Sequence, residues 1–301
     1  MQQYRKAERV VVTGACGFLG QALIRVLLER ERQVTAVDLS EKERLLSVRR
    51  GLRFVAAERL FEQSLEADIW YHLAWAGSAG EGRKDGVLQA QNIRQTAEAV
   101  AQARRWGCHT FVFAGSIMEA EMAALQAAGK ALQGTDCYAC AKRCAGEISR
   151  CLAAEAGMRH ITGRVTNVYG AGERSQRLIC RTLEQLAQGE MPEFTSGTQL
   201  YDFIYVTDAA RAFLAMGEQG KDGQTYVVGS GEPKPLRKWL ELLLEEAGGK
   251  GIFGKVAFSG ISLTEADYDI SALVADTGFC CRVDFPSGIR RTMAWQKEGR
   301  I

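Results

Sequence analysis

The feature that most constrains this chain is a glycine-rich turn between a short apolar run and an amphipathic segment. The stretch TGACGFLG places Gly14, Gly17 and Gly20 directly after the β-branched run at 9–12, and a helical pattern over 18–30 follows. Glycines lack Cβ atoms, so the backbone can approach a diphosphate, to which the helix N-terminus offers free N–H groups. The sequence of strand, turn and helix predicts a dinucleotide-binding βαβ unit.

The alternation of apolar runs and helical segments continues along the chain. Strands buried on both faces of a parallel sheet read as unbroken apolar runs, as these do. The pattern predicts strands over 33–37, 52–56, 68–74 and 110–116, a strand and its exit loop over 160–170, and helices over 85–106 and 137–156. It indicates the α/β class, with a doubly wound parallel Rossmann sheet.

The pattern loosens after Gly170. Helices are predicted over 173–190, 236–249 and 288–295, and strand-containing segments over 201–216 and 224–231. We expect a dinucleotide-binding Rossmann domain over 1–168 and about 202–228. A smaller mixed α/β C-terminal substrate domain would cover about 169–201 and 229–301.

The composition is that of an ordinary globular protein, with 47% hydrophobic residues among 301. The 38 Lys and Arg against 36 Asp and Glu give a net charge of +2. This balance gives no electrostatic reason to expect a nucleic-acid partner. No stretch approaches the roughly 20 apolar residues of a membrane helix, and the polar N-terminus does not resemble a signal peptide. Nine scattered cysteines fit reduced thiols, so we expect a cytoplasmic protein.

Asp38 closes the second predicted strand, 18 residues after Gly20. A carboxylate at this position accepts hydrogen bonds from an adenosine ribose and repels a 2′-phosphate. The position therefore favours NAD as the cofactor over NADP.

The segment CYACAKRC, residues 137–144, allows two interpretations. On a helix with about 100° per residue, Tyr138 and Lys142 share one face, and a lysine ammonium one turn away favours the phenolate form of tyrosine. Ser116 ends an apolar run at the carboxyl edge of the predicted sheet, where such sheets bind ligands. These three residues are candidates for acid–base chemistry.

The cysteines of the same segment form a second face. Cys137, Cys140, Cys144 and Cys151 fall on a stripe about 150° from the Tyr–Lys face. We interpret them as small apolar residues packed in the interior. The segment 137–144 itself holds three cysteines, and no fourth Cys or His lies close to them, so no metal site is predicted.

Six stretches, taken in order, cover nearly the whole chain: TGACGFLG, HLAWAG, VFAGS, YACAK, RVTNVYG and YDFIYVTDAARA. Together they resemble an extended short-chain dehydrogenase/reductase of the NAD-dependent epimerase/dehydratase family, which acts on nucleotide sugars. The resemblance implies an enzyme with NAD as cofactor and a nucleotide-sugar substrate. It also implies a homodimer formed through the Tyr–Lys helix and the preceding helix, here 119–131.

The resemblance implies a role for each matching residue. The catalytic residues would be Ser116, Tyr138 and Lys142, and the last two would also contact NAD. The other cofactor-binding residues would be Gly14, Gly17, Phe18, Leu19 and Gly20 at the pyrophosphate, Asp38 at the adenosine ribose, Glu58 and Arg59 at the adenine, Leu73 and Ala74 at the nicotinamide ribose, and Asn92 as a support. The substrate would be contacted by Ser116, Asn167 and Tyr201.

Departures from the family's pattern narrow the reaction. Dehydratases of the family carry an Asp-Glu pair directly after the active-site Ser/Thr, where this chain has Ile117 and Met118, so elimination lacks its acid–base pair. Members that epimerise next to the ketone use a cysteine at the Met118 position and a later histidine, and none of the three histidines here is well placed. Tyr201 stands where many members carry an arginine on the diphosphate, which resembles a subgroup of deoxysugar 4-ketoreductase-like proteins.

Three functions remain open from the sequence. The first is an NAD-dependent nucleotide-sugar epimerase acting by redox at C4 of the hexose, which Asp38 favours. The second is an NAD(P)H-dependent nucleotide-deoxysugar 4-ketoreductase, which Tyr201 favours. The third is a non-catalytic NAD(P)-binding sensor, although such proteins usually lose the Tyr or the Lys that this chain retains.

Overall fold

The structure, a computed structural model, describes residues 9–299, so the interpretation of the N-terminus falls partly on residues 1–8, outside the described chain. The strands are β1 (Arg9–Thr13), β2 (Gln33–Asp38), β3 (Leu52–Ala56), β4 (Ile69–His72), β5 (Thr110–Ser116), β6 (Arg159–Val165), β7 (Asn167–Tyr169), β8 (Glu193–Phe194), β9 (Leu200–Tyr201), β10 (Phe203–Tyr205), β11 (Thr225–Val228), β12 (Lys234–Pro235) and β13 (Ile252–Phe253). The α-helices are α1 (Phe18–Glu29), α2 (Gly86–Arg105), α3 (Met118–Ala127), α4 (Cys137–Glu155), α5 (Leu178–Ala187), α6 (Val206–Gln219), α7 (Leu236–Ala247), α8 (Ser271–Thr277) and α9 (Phe285–Glu298).

A seven-stranded parallel sheet is the centre of the fold. Its spatial order is β11-β6-β5-β4-β1-β2-β3, and every neighbouring pair is parallel. The chain moves outward from β1 through β2 to β3 and then returns to place β4 on the other side of β1. This reversal opens a crevice at the carboxyl ends of β1 and β4, where doubly wound sheets bind ligands. The predicted fold class is confirmed.

Helices cover both faces of the sheet and bury it. On one face, Leu23 and Leu27 of α1 and Phe213 of α6 are fully buried in the larger core. On the other face, Trp70 of β4 and Ala145 of α4 belong to a second core with α2. The two cores explain why the central strands are apolar on both faces rather than alternating.

The chain beyond β6 differs from the sequence expectation at two elements. The exit loop predicted at the end of 160–170 holds a short strand, because the chain leaves the large sheet at Thr166 and β7 then pairs with β10. The helix predicted over 173–190 begins only at Leu178, since the buried carboxylate of Glu173 accepts a hydrogen bond from Ser175 in a turn before it. The predicted domain boundaries stay a prediction, with β11 lying in the large sheet.

The cysteine stripe does not pack in the interior, contrary to the sequence interpretation. Cys140, Cys144 and Cys151 are exposed, and Cys137 is partly exposed. The buried face of α4 is instead the one that carries Tyr138 and Lys142, because that face lies against the sheet and α2. The cysteines, about half a turn away, therefore face outward.

Candidate active site

The glycine turn after β1 is built so tightly that side chains are excluded. Gly14 has φ of +70°, and a Cβ there would lie 2.7 Å from the backbone N of Ala74. A Cβ on Gly20 would clash with the backbone carbonyl oxygen of Gly14. A Cβ on Gly17 would lie 3.1 Å from the same oxygen. The turn therefore presses the start of α1 against β1 and leaves backbone exposed on the crevice side.

A cleft of about 610 Å³ opens at this turn, at the carboxyl ends of the strands. Its volume lies in the range of about 300–1,000 Å³ that small-molecule sites usually have. Ten of the predicted cofactor-binding residues line it: Gly14, Gly17, Phe18, Leu19, Gly20, Asp38, Leu73, Ala74, Tyr138 and Lys142. The glycine cradle and these residues together fit a dinucleotide.

Asp38 is buried at the end of β2, next to the glycine turn. Its Oδ2 accepts a hydrogen bond of 2.9 Å from the backbone N of Cys16, and its Oδ1 accepts one of 2.9 Å from Leu39 N. Lys42 places its Nζ 3.2 Å from Oδ1. The carboxylate is thus fixed in orientation, as recognition of a ribose requires.

Three predicted cofactor residues lie outside the lining of the cleft. Glu58 and Arg59 are exposed, while Ala57, Leu60 and Phe61 of the same turn line the cleft. Asn92 is buried on α2, and its side-chain amide makes two hydrogen bonds of 2.9 Å with the backbone N and O of Ala76. Asn92 thereby holds the loop that follows β4, which is a supporting role.

Tyr138 and Lys142 line one end of the cleft, while Ser116 follows the lining residue Gly115 and is not itself in the lining. The Ser116 side chain lies close enough to Tyr138 to act on the tyrosine pKa, in the lowering direction. The Nζ of Lys142 donates a 2.8 Å hydrogen bond to the carbonyl oxygen of Ala114 and lies 3.8 Å from the ring centroid of Trp75. All three are nearly buried, so a reaction between them and a ligand would be shielded from water.

The pKa values at this end differ from the sequence expectation. Burial raises the pKa of Tyr138, and the opposing effects come chiefly from the Ser116 hydrogen bond and the charges of Arg83 and Arg177. Burial also lowers the pKa of Lys142 to about 7, with Glu119 acting against it. The sequence predicts that the charge acting on the tyrosine pKa comes from Lys142 and does not indicate the two arginines.

Glu119 is a residue that the sequence analysis missed. It is buried at the start of α3, and its Oε1 accepts a 2.7 Å hydrogen bond from the backbone N of Ser116. Its Oε2 lies 3.9 Å from the guanidinium of Arg164. Burial raises the pKa of this carboxyl, while the Ser116 hydrogen bond opposes the rise. Its position three residues after Ser116 was the available signal.

Several other side chains that line the cleft belong to no recognisable motif, so the sequence analysis missed them as well. Trp75 packs edge-on to Tyr138 at 6.1 Å between ring centroids and donates a 2.9 Å hydrogen bond to Gln89. Further polar side chains that line the cleft are Lys42, Ser78, Arg94, Gln95, Glu98 and Arg177. Trp75 directly follows Leu73 and Ala74, and this adjacency is the signal by which it could have been found.

The two remaining substrate candidates lie beside the cleft rather than in its lining. The Asn167 amide donates a 3.1 Å hydrogen bond to the carbonyl oxygen of Asp202. Tyr201 is half-buried on β9, and its carbonyl oxygen accepts a 2.8 Å hydrogen bond from the Trp239 indole. The structure thus places Asn167 and Tyr201 near each other through Asp202.

The histidines and cysteines form no metal centre within residues 9–299, where no group of three or more His, Cys, Asp or Glu residues could hold an ion. His72 is buried between the hydroxyls of Thr13 and Thr96 at 2.9 and 3.2 Å, and burial lowers its pKa to about 3. No helix in this part of the chain is long and apolar enough to cross a membrane.

Comparisons with known proteins agree with this geometry. A profile of the NAD dependent epimerase/dehydratase family matches residues 10–229. A 2-alkyl-3-oxoalkanoate reductase of Stenotrophomonas maltophilia is 28% identical over 83% of this chain and 79% of its own. A dTDP-glucose 4,6-dehydratase of an Actinoplanes species is 25% identical over 97% of this chain and 98% of its own. The solved UDP-N-acetylglucosamine 4-epimerase of Methanobrevibacter ruminantium superposes with a TM-score of 0.82 at 21% identity, over 98% and 100% of the two chains.

Proposed function

The chain belongs to the NAD-dependent epimerase/dehydratase family, and from this premise we propose that it is a nucleotide-sugar epimerase that works by redox at C4 of the hexose. One observation carries the proposal: Tyr138 and Lys142 line the end of a cleft that begins at the glycine turn, and Ser116 lies beside Tyr138. Acid–base groups and a dinucleotide cradle in one crevice are what such a reaction requires.

NAD is the cofactor, and NADP is disfavoured by the buried carboxylate of Asp38. The glycine turn would hold the pyrophosphate, Asp38 the adenosine ribose, and Leu73 and Ala74 the nicotinamide ribose. The chemistry that NAD supplies when bound is reversible hydride exchange with a sugar carbon.

The chain's own residues would manage the proton and the position of the sugar. Tyr138 would take the proton of the C4 hydroxyl and later return it, while Ser116 would hold the same oxygen. Lys142, which donates to Ala114 O at 2.8 Å, would reach the ribose of the cofactor from the floor of the cleft. The Arg83 and Arg177 charges oppose the rise in the tyrosine pKa and so support its phenolate form.

A 4-ketoreductase remains the second candidate because of Tyr201. A reductase would start from the ketone, with Tyr138 supplying the proton rather than removing it. The similarity to a reductase of Stenotrophomonas maltophilia supports this alternative at the level of reaction class. Dehydration is disfavoured because Ile117 and Met118 follow Ser116, and neither can act as an acid or a base.

Replacing Tyr138 by Phe tests the proposal. General acid–base catalysis contributes about 10²- to 10⁴-fold, so Y138F should lose that much turnover of UDP-glucose, UDP-N-acetylglucosamine or dTDP-glucose, whichever the wild type converts. Y226F is the control, because Tyr226 lies on the outer strand β11 and its hydroxyl donates to Asp276 of α8, outside the cleft lining. Unchanged turnover in Y138F would reject the mechanism, and conversion of none of the three nucleotide sugars by the wild type would favour the non-catalytic cofactor-binding sensor.

The choice between inversion and reduction needs a separate measurement. Mass spectrometry of the purified protein should find bound NAD if the enzyme is an epimerase, because the cofactor is regenerated in each cycle. An empty site, with stoichiometric consumption of NADPH on a 4-keto sugar, would favour the reductase.

We also propose that the enzyme acts as a cytoplasmic homodimer. The outward face of α4 carries Ile148, which is 37% exposed, between Cys144 and Cys151. An apolar face of this kind suits a symmetric helix pairing. Light scattering at micromolar concentration should give twice the monomer mass. The mass of a monomer would reject the dimer but would leave the proposed reaction untouched.

A further inference from the structure

Arg83 lies directly against the candidate catalytic tyrosine. Its Cζ is 5.1 Å from the ring centroid of Tyr138, and its Nε donates a 2.8 Å hydrogen bond to the carbonyl oxygen of Ser78. The guanidinium is half-buried, and within residues 9–299 it makes no ion pair shorter than 4 Å. A guanidinium held by one neutral acceptor still has several N–H groups to offer.

The loop that carries Arg83 is fixed in place. Gln89 of α2 donates to the carbonyl oxygens of Gly77 and Gly82 at 3.1 and 2.8 Å. A Cβ on Gly82 would lie 2.6 Å from the Cα of Gly77, so the loop is closed on itself. Arg83 is therefore presented with little remaining freedom, which lowers the entropy cost of binding a ligand.

A second guanidinium reaches the same place from a distant part of the chain. Arg177 is the residue that precedes α5, and its side chain lines the cleft together with Tyr138. Its only ion pair in the described chain is a long one, 3.7 Å to Glu173. The Arg177 charge lowers the pKa of Arg83, after the larger effect of burial, so the two cations are close enough to repel.

The nearby carboxylates leave Arg83 without an ion pair in the described chain and pair with Arg177 only at long range. Glu121 of α3 acts electrostatically on Arg83, but it forms no ion pair with it. Burial raises the pKa of Glu121 and also that of Glu173. The one carboxylate paired with either guanidinium in the described chain, Glu173, is held at 3.7 Å from Arg177 and its Oε1 also accepts from Ser175. Two guanidiniums beside a reacting residue with a single long ion pair favour an incoming oxyanion.

We propose that Arg83 and Arg177 form a two-guanidinium site that binds an oxyanion of the substrate beside Tyr138. The inference rests on the proposed function, in which the substrate is a nucleotide sugar. Such a ligand can supply the oxyanion as its diphosphate or as a carboxylate on the sugar, and both match the planar guanidinium fork. Because Tyr201 offers no positive charge, this pair is the cationic contact of the substrate on the Tyr138 side.

Calorimetric titration of the NAD-loaded protein tests the site with UDP, UDP-glucose and UDP-glucuronic acid as probes. Loss of a charged hydrogen bond should weaken binding about 10- to 100-fold in R83Q and in R177Q. R83K keeps the charge but loses the fork, so it should fall between R83Q and the wild type. R181Q is the control, because Arg181 is exposed one turn further along α5.

Each pattern of affinities has a distinct meaning. Equal weakening for all three probes identifies the diphosphate as the bound group, and weakening for UDP-glucuronic acid alone identifies the sugar carboxylate. Less than a twofold change for every probe, equal weakening in R181Q, or no binding by the wild type overturns the site. Turnover of a nucleotide sugar with unchanged affinity in R83Q rejects the site but leaves the proposed function intact. Binding that depends on Arg83, without turnover of any nucleotide sugar, supports the site and rejects the proposed function.

Discussion

The candidate active site combines residues that sequence spacing reveals with residues that only the fold brings close. Tyr138 and Lys142 are four apart on one helix, so their shared face could be predicted from the helical period. Arg83 could not be predicted as their neighbour, since it reaches Tyr138 from a loop 55 positions earlier in the chain. The same limit applies to the pKa of Tyr138, because its burial and its arginine neighbours are tertiary features.

Glu119 is expected to set the pH dependence of the reaction. Its charge raises the pKa of Tyr138 and of Lys142, so replacing it by Gln should lower both. Gln retains an oxygen for the N–H of Ser116, which now donates to Oε1 at 2.7 Å. In E119Q, the rising limb of kcat/KM for sugar oxidation should therefore move to lower pH, with the maximum rate within about tenfold of the wild type.

The comparison with E119A separates charge from structure. Alanine removes the charge and also leaves the buried N–H of Ser116 without its acceptor, which costs about 1–3 kcal/mol. E119A should therefore share the pH shift of E119Q and in addition lose thermal stability. A pH profile of E119Q that coincides with the wild-type profile would show that the carboxylate does not act on Tyr138.

At the scale of elements, the large sheet was predictable because each central strand is a continuous apolar run. The predicted strands over 52–56 and 110–116 coincide with β3 and β5. The short strand β7 after β6 was not predictable, because local sequence does not show that this segment pairs with a strand over thirty residues later. Exposure of the α4 cysteines was missed for a similar reason: spacing separates two faces of a helix but does not say which one the sheet covers.

The junction of β1 and α1 is expected to tolerate no side chain at Gly20. A Cβ there would meet the backbone oxygens of Gly14 and Ala15, and neither can move without opening the turn. G20A should therefore lose NAD affinity by at least tenfold and lower the thermal midpoint of unfolding. G86A is the matched control: no atom lies within 4 Å of its Cβ, so the substitution in α2 should stabilise by about 0.5–1 kcal/mol. Wild-type NAD affinity in G20A would contradict the role of the turn.

At the scale of the whole molecule, the C-terminal region depends on pairings between distant segments. The small sheets β7–β10, β8–β13 and β9–β12 each join strands of two or three residues. Such strands carry too little pattern to be recognised in a sequence, and they form because the larger core positions them. The sequence therefore predicted a mixed α/β region in the C-terminal part of the chain, but it did not predict which strands pair there.

The stability of the whole protein is expected to fall on acidification, in part through His160. The ring is buried, and its Nε2 lies 2.9 Å from the hydroxyl of Ser149. That hydroxyl donates to the carbonyl oxygen of Gly146, so Nε2 carries the proton of the neutral ring and donates to Ser149. Nδ1 is buried without a hydrogen-bond partner in the described chain, so a second proton would have no acceptor.

The direction of the effect follows from the two pKa values. Burial lowers the pKa of His160 from 6.5 to about 4, so the unfolded chain binds more protons than the folded one between these values. Stability is complete above pH 6.5 and is lost as the pH falls toward 4. One group with this shift contributes a loss of about 2 kcal/mol between pH 7 and pH 5.

Urea unfolding of the wild type and H160Q at pH 7, 6 and 5 isolates this contribution. Gln can still donate to Ser149 but does not titrate, and all carboxylates and His72 are common to both proteins. The wild type should therefore lose about 2 kcal/mol more than H160Q across this range. H109Q, which replaces an exposed histidine, should keep most of the wild-type acid sensitivity. If H160Q and the wild type lose stability in parallel, the buried ring is not a site of acid sensitivity, and the loss must come from other groups that both proteins share.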